Sequence, residues 1–282
     1  MSETSRFVVS ADWLEEHMYD PGLMIIDGSW YLPAQNRDAR AEYDAAHIPG
    51  AIFFDHDEVV DPDSDLPHTL PSPVIFEEHA SAMGIGRHDT IVVYDGPGMF
   101  TAPRVWWMFR TFGAEKVFVL DGGFDQWKTA GRPVTDVPTK TAASAFIPLY
   151  DEGQLVKLHG MMGIVSSGKG QIADARALER FTGEVDEPRE GVQSGHMPGA
   201  VSLPFSELVE DGSLKDLDSI RQIIQNRGLD LTKPIVTTCG SGVTAAVINL
   251  ALASVGRDDS RLYDGSWTEW GSRSDTTIVK GK

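Results

Sequence analysis

The chain is predicted to be an α/β protein of two tandem, related domains, each a mainly parallel sheet flanked by helices. Three observations predict it. Four sequence blocks occur twice in the same order, short β-branched runs alternate with segments of helical length, and the composition suits a packed core. Apolar residues make up 41% and charged residues 23% of the 282 residues, which excludes wholesale disorder.

The repeat is the firmest of the three. "MIIDGSW" at 24–30 answers "QIADARA" at 171–177, and "HIPGA" at 47–51 answers "HMPGA" at 196–200. "IVVYDGPGMFTA" at 91–102 answers "IVTTCGSGVTAA" at 235–246, and "VLDGGFDQW" at 119–127 answers "LYDGSWTEW" at 262–270. One such match could arise by chance; four in order mark a duplication. Each half is then a domain of ordinary size. The first is expected at 1–135, the joint at 136–156, where Pro, Thr, Ala and Ser mix without helical periodicity, and the second at 157–282.

Within the halves, "IVVY" (91–94), "VFVL" (117–120), "QIAD" (171–174) and "PIVTT" (234–238) read as strands buried on both faces. "PRVWWMFRTFG" (103–113) and "VTAAVINLALASVG" (243–256) have helix length and end at glycine, a frequent helix terminator. "SWTEW" (266–270) reads as the end of a strand and the start of a helix. Strand, loop, helix and strand in alternation imply a parallel sheet, and ligands of such sheets bind beyond the carboxyl ends of the strands.

Charge narrows the partners. Lys plus Arg number 24 against 42 Asp plus Glu, a net charge of -18, which disfavours nucleic acid and anionic membrane surfaces. No apolar run reaches the roughly 20 residues that span a bilayer. The N-terminus lacks the basic start and apolar core of a signal peptide, and a cytoplasmic, reducing location is expected. The single cysteine allows no internal disulfide and no multi-cysteine zinc site.

That cysteine, Cys239, ends the run "PIVTT" and opens the loop "CGSGVT". A buried cysteine can be inert core filler. Here, however, Gly240 and Gly242 relax a loop whose N–H groups, up to Thr244, precede a helix, and such a loop cradles negative charge. A thiolate in that cradle is a nucleophile. The matching position of the first half is Asp95, so one half is expected to be reactive and the other inert. A phosphatase loop would need arginine at position 245, which is alanine. A cysteine hydrolase would need a histidine base, for which His47 and His196 are candidates.

The two "HxPGA" blocks, the "CGSGVT" loop and the "DG" blocks ending in tryptophan resemble the tandem-domain rhodanese-like sulfurtransferases over residues 7–276. Within that group the loop is similar to that of the 3-mercaptopyruvate sulfurtransferases. Thiosulfate-type members carry basic residues where this chain has Gly240 and Ser241. The segment at 180–200 looks most like the bacterial mercaptopyruvate enzymes.

The resemblance implies that Cys239 takes sulfur from 3-mercaptopyruvate, releases pyruvate, and passes sulfur to a thiol acceptor such as a thioredoxin-like protein. It implies no cofactor and no metal. Arg180 and Arg189 match the substrate-binding arginines, although the neighbouring acids Glu179, Glu184, Asp186, Glu187 and Glu190 could simply pair with them. Gly240, Ser241, Gly242, Val243 and Thr244 would hold the persulfide. A proton relay of a first-domain histidine and aspartate with a loop serine would be His47, Asp38 (or Asp44) and Ser241. Since "HxPG" occurs in both halves, a shared structural role for His47 and His196 competes with that assignment. Thiosulfate as donor, or a persulfide carrier without donor turnover, are the alternatives.

Overall fold

The structure, a computed structural model, describes residues 4–281. Two five-stranded sheets account for most of it. The first is built from β1 (Val8–Val9), β2 (Leu23–Asp27), β3 (Ala51–Phe53), β4 (Thr90–Tyr94) and β5 (Lys116–Leu120), in the order β1-β5-β4-β2-β3. Helices α1 (Ala11–His17), α2 (Ala39–Ala45), α3 (Pro73–Ala82), α4 (Ala102–Thr111) and α5 (Gly123–Thr129) connect its strands and cover it.

The second domain repeats the plan. Its strands are β6 (Leu155–Val156), β7 (Gln171–Asp174), β8 (Ala200–Ser202), β11 (Ile235–Thr238) and β12 (Arg261–Tyr263). Their order, β6-β12-β11-β7-β8, matches the first sheet position for position, and every pairing in both sheets is parallel. Its helices are α6 (Leu158–Ser167), α7 (Leu178–Thr182), α8 (Leu217–Asn226), α9 (Ala245–Ser254) and α10 (Ser266–Ser272). A hairpin of β9 (Val209–Glu210) and β10 (Ser213–Leu214) has no counterpart in the first half.

The segment "SWTEW" lies wholly within α10; β12 ends earlier, at Tyr263. Among the described residues no helix is long and apolar enough to cross a membrane.

Sequence explains why two helices differ from the rest. α4 and α9 are apolar around most of their circumference, and almost every residue of each is buried. They pack against each other between the sheets, and Trp106 and Phe109 share one continuous core with Ile248 and Leu252. Each helix follows directly from the loop after a central strand, β4 or β11. The two duplicated loops are therefore held on one shared hydrophobic wall.

The expected joint at 136–156 is strapped down. Phe146 is fully buried against Phe76 and Phe109, with ring centroids 5.4 and 5.9 Å apart. The Leu149 and Asp151 N–H groups donate to the Phe112 and Thr111 carbonyls, both at 2.9 Å. The second sheet already begins at Leu155, inside that span.

Candidate active site

Cys239 stands at the carboxyl end of β11, and six residues later α9 has begun. Its side chain is buried, as are Ser241 and Val243. The start of α10 pins the loop from one side. Trp267 and Thr268 N–H donate to the Cys239 and Gly240 carbonyls, both at 2.9 Å, and the Thr268 hydroxyl adds a 2.6 Å bond to the Gly240 carbonyl. The Cys239 N–H donates to Ser266 Oγ at 3.3 Å.

The duplicated loop is an internal guide to what such a loop binds. The Asp95 carboxylate accepts bonds from the N–H groups of Gly98, Phe100, Thr101 and Ala102 at 2.6–2.9 Å. Burial raises its proton affinity, and these four bonds oppose the rise. In the register of the repeat, Gly242, Thr244 and Ala245 hold the places of Gly98, Phe100 and Thr101. The first-domain loop is also covered: a Cβ on Gly98 would collide with Gly212 O, and the same β9–β10 hairpin tip accepts bonds from Gly122 N–H and the Gln126 amide. One loop is thus filled by its own carboxylate and capped. The other holds a sulfur atom.

Two guanidinium groups converge on the Cys239 loop. A Cβ built on Gly240 would lie 3.2 Å from Arg180 Nη2 and 3.8 Å from Arg189 Nη1. Arg180 extends from α7 and is held by Glu187 through two bonds, at 3.2 Å from Nε and 2.5 Å from Nη2. Glu187 is nearly inaccessible and also accepts from Arg176 at 2.9 Å; Arg176 in turn is clasped by Asp174 and Gly195 O. The expected competition from acidic neighbours is therefore real for Arg180. Arg189 is different: among the described residues its guanidinium has no hydrogen-bond or ion-pair partner. Burial, then Arg180, pushes its proton affinity down, while Cys239 and Glu187 push it up.

The first domain supplies the facing wall. Arg104, on α4, is buried and reaches across the domain boundary. Its Nη2 donates to Asp264 Oδ1 at 2.8 Å and to the His68 carbonyl at 2.7 Å, and its Nη1 donates to Gly242 O at 3.4 Å. Asp264 Oδ2 accepts from Leu70 N–H at 2.6 Å. The His68 segment and the cysteine loop are thus tied to one ion pair.

His68 is buried, and Trp30 meets it edge-on at 4.6 Å. Its Nδ1 lies 3.3 Å from the His56 carbonyl and 3.7 Å from Asp57 Oδ1. Donation from Nδ1 to the carbonyl leaves Nε2 unprotonated, and Nε2 has no partner among the described residues. Burial lowers the proton affinity of His68; Arg104 and Arg189 lower it further, and Asp57 opposes them. Neighbouring His56 is pushed down to about 3, chiefly by burial, and bonds Gly28 O at 2.9 Å.

The histidine expected for the relay is not brought to this cluster. His47 Nδ1 lies 2.7 Å from Tyr43 O and Nε2 3.2 Å from Val137 O, so both ring nitrogens face backbone carbonyls outside the loop. Its ring stacks on Tyr43 and its backbone pairs with Thr135. His196 does the same in the second half, with its ring on Phe181, Nδ1 at the Phe181 carbonyl and backbone paired with Val279. The shared structural role accounts for both. Asp38 caps α2 by accepting from Ala41 N–H at 3.0 Å, and Asp44 pairs with Arg40 at 3.1 Å. Asp38 lines a 290 Å³ cavity with Trp30, His56 and Asp57, none of whose lining residues belongs to the loop.

His68, Asp57, Arg104 and Asp264 were missed. A signal was present: His68, in "LPHTLP", lies outside the four repeated blocks. In a duplicated chain expected to have one inert half, a residue unique to one half is the better candidate for chemistry. A residue present in both halves is the better candidate for folding.

A doubled parallel-sheet domain with one thiol loop and one copy of it that carries Asp95 instead defines a two-domain, rhodanese-type protein. The rhodanese-like domain family matches residues 10–130 and 161–273, and the chain belongs to that family. It is similar to the 3-mercaptopyruvate sulfurtransferase of Escherichia coli strain K12, with 42% identity over 98% of both chains. The human 3-mercaptopyruvate sulfurtransferase is 41% identical over 98% of this chain and 96% of its own length. The thiosulfate sulfurtransferase of Gallus gallus is 43% identical over 95% and 94%. Among solved structures, SseA of Escherichia coli superposes with a TM-score of 0.86 at 41% identity, covering 94% of this chain and 99% of that one.

Proposed function

We propose that the protein is a 3-mercaptopyruvate sulfurtransferase working through a persulfide on Cys239. The observation that carries this reading is the pair of guanidinium groups at Gly240, one of them unpaired, beside the only thiol of the chain. A planar α-keto acid suits two such forks, which donate paired hydrogen bonds to the carboxylate and the adjacent carbonyl. The relatives named for 3-mercaptopyruvate, similar over nearly their full length, support it.

In the proposed reaction His68 Nε2, relayed by the Ser241 hydroxyl, takes the Cys239 proton. The thiolate attacks the sulfur of 3-mercaptopyruvate, an S–S bond forms, the C–S bond breaks, and its electron pair leaves on the pyruvate enolate. Protonated His68 returns the proton to the enolate carbon, giving pyruvate and Cys239–S–SH. An acceptor thiolate, such as that of a thioredoxin-like protein, then attacks the outer sulfur and frees the Cys239 thiolate. His68 with Asp57 fits the relay better than His47 with Asp38, because an unpaired ring nitrogen is what a general base requires. The loop N–H groups hold the anionic sulfur as their counterparts hold Asp95.

Incubation with 3-mercaptopyruvate should add the mass of one sulfur atom to Cys239 and release one pyruvate per sulfur loaded; Cys239→Ser should do neither. Loading without pyruvate would indicate a carrier. Thiosulfate remains the rival donor, favoured by the similarity to the Gallus gallus enzyme. A kcat/KM for thiosulfate equal to or above that for 3-mercaptopyruvate would replace the proposal.

A further inference from the structure

Arg104 is a costly residue to bury: a guanidinium removed from water needs nearly all its donors satisfied. The first-domain core does not need it, since its counterpart in the repeat, Ile248 on α9, is a buried aliphatic. Its partners are instead all at the site or its border. They are the His68 carbonyl, the Gly242 carbonyl in the cysteine loop, and Asp264, which itself binds Leu70 N–H. Trp107 packs under the guanidinium, 4.7 Å from the ring centroid, and fixes its plane. His68 has a φ of 59°, a conformation that a non-glycine residue holds only when its surroundings enforce it. The bond from Arg104 to its carbonyl and the bond from the next-but-one N–H to Asp264 are such surroundings.

We propose that Arg104, paired with Asp264, is a positioning residue that locks the His68 segment of the first domain to the Cys239 loop of the second. This rests on the sulfurtransferase reading, in which His68 must meet the sulfur and its leaving group at fixed distance. The same ion pair makes the two-domain architecture functional, because base and nucleophile come from different domains and neither strand framework alone fixes their separation. The charged and titratable groups around His68 are Asp57 and His56 from the segment after β3, Arg104 from α4, and Arg189 from the segment after α7. Arg104 also opposes protonation of His68, keeping it competent as a base at lower pH.

The test compares three forms of the full chain: wild type, Arg104→Lys, and the double variant Arg104→Met/Asp264→Asn. The double variant leaves no buried unpaired charge and keeps an oxygen for Leu70 N–H. Steady-state turnover of 3-mercaptopyruvate, its pH profile, thermal unfolding and alkylation of Cys239 by iodoacetamide are measured. The expected result is a KM within about two-fold of wild type, because Arg180 and Arg189 still hold the substrate, and a kcat lower by about 100-fold in both variants, the scale of a misplacement of about 1 Å. The acid limb should move to higher pH in the double variant, which has lost a cation near His68. It should stay in place in Arg104→Lys, which has not.

A folded double variant with kcat within two-fold of wild type would overturn the proposal. So would a kcat loss that follows unfolding alone, with an unchanged pH profile. Wild type that fails to release pyruvate would instead refute the sulfurtransferase reading; the pH profile of alkylation, which needs no substrate, would then still show whether Arg104 governs the environment of Cys239.

Discussion

Replacing Arg189 by methionine separates a substrate-binding arginine from a structural one. In the free protein the Arg189 guanidinium has no hydrogen-bond or ion-pair partner among the described residues, is depressed in proton affinity by burial, and is repelled by Arg180. Removing it therefore breaks no bond and relieves a repulsion, so the unfolding free energy should not fall by more than about 0.5 kcal/mol. Binding is another matter. Loss of charge-assisted hydrogen bonds to the substrate carboxylate costs about 1.5–3 kcal/mol, which corresponds to a roughly 10- to 150-fold fall in kcat/KM at about 1.4 kcal/mol per factor of ten. The carboxylate does not change charge in the reaction, so the loss should appear as a raised KM with little change in kcat. Urea unfolding and steady-state kinetics on the same preparations decide it. A variant that is clearly less stable yet keeps its KM would refute the reasoning, because Arg189 would then be serving the fold.

Four further variants test other parts of the structure. Gly240→Ala should fold normally but raise KM several-fold, since its Cβ would come 3.2 Å from Arg180 Nη2; an unchanged KM would remove the arginines from the binding surface. His47→Ala should lower stability by about 1–3 kcal/mol through two unpaired carbonyls while sparing kcat/KM of the folded fraction. His68→Gln should do the reverse, lowering kcat by about 10²–10⁴, and an exchange of these outcomes would restore His47 to the relay. Asp27, almost fully buried, has its pKa raised to about 6, chiefly by burial, against Ser29. Its folded value exceeds its unfolded one, so the folded state holds the proton more tightly and stability falls as pH rises from about 4 through 6. Asp27→Asn should flatten that stretch of the stability curve by up to about 3 kcal/mol; chemical unfolding at pH 4.5 and 7 measures it, and an unchanged slope would contradict the assignment.

The duplication, the parallel sheets and the strand-end position of the cysteine loop were all legible in the chain. Each is a local matter, because strand runs, glycine loops and helix starts are written in consecutive residues, and the repeat made every local pattern visible twice. The two arginines near Cys239 could be picked out, but not their different states. Only folding showed that Glu187 holds Arg180 while Arg189 stands unpaired.

The base proposed from the structure, His68, differs from the one expected from sequence, His47, for a physical reason. His47 and His68 are two of the six histidines in the first half, and nothing in neighbouring residues tells which nitrogen will be bonded to a carbonyl and which left free. Their fates are set by contacts that sequence distance hides: His47 by Thr135 and Val137, and His68 by Arg104 and, through it, by residues 242 and 264. The sequence by itself determined two copies of one sheet and one thiol. The packing of α4 against α9 decided which first-domain residues lie beside the cysteine loop, because Arg104 meets Gly242 and Asp264 only when tertiary structure brings them within hydrogen-bond range.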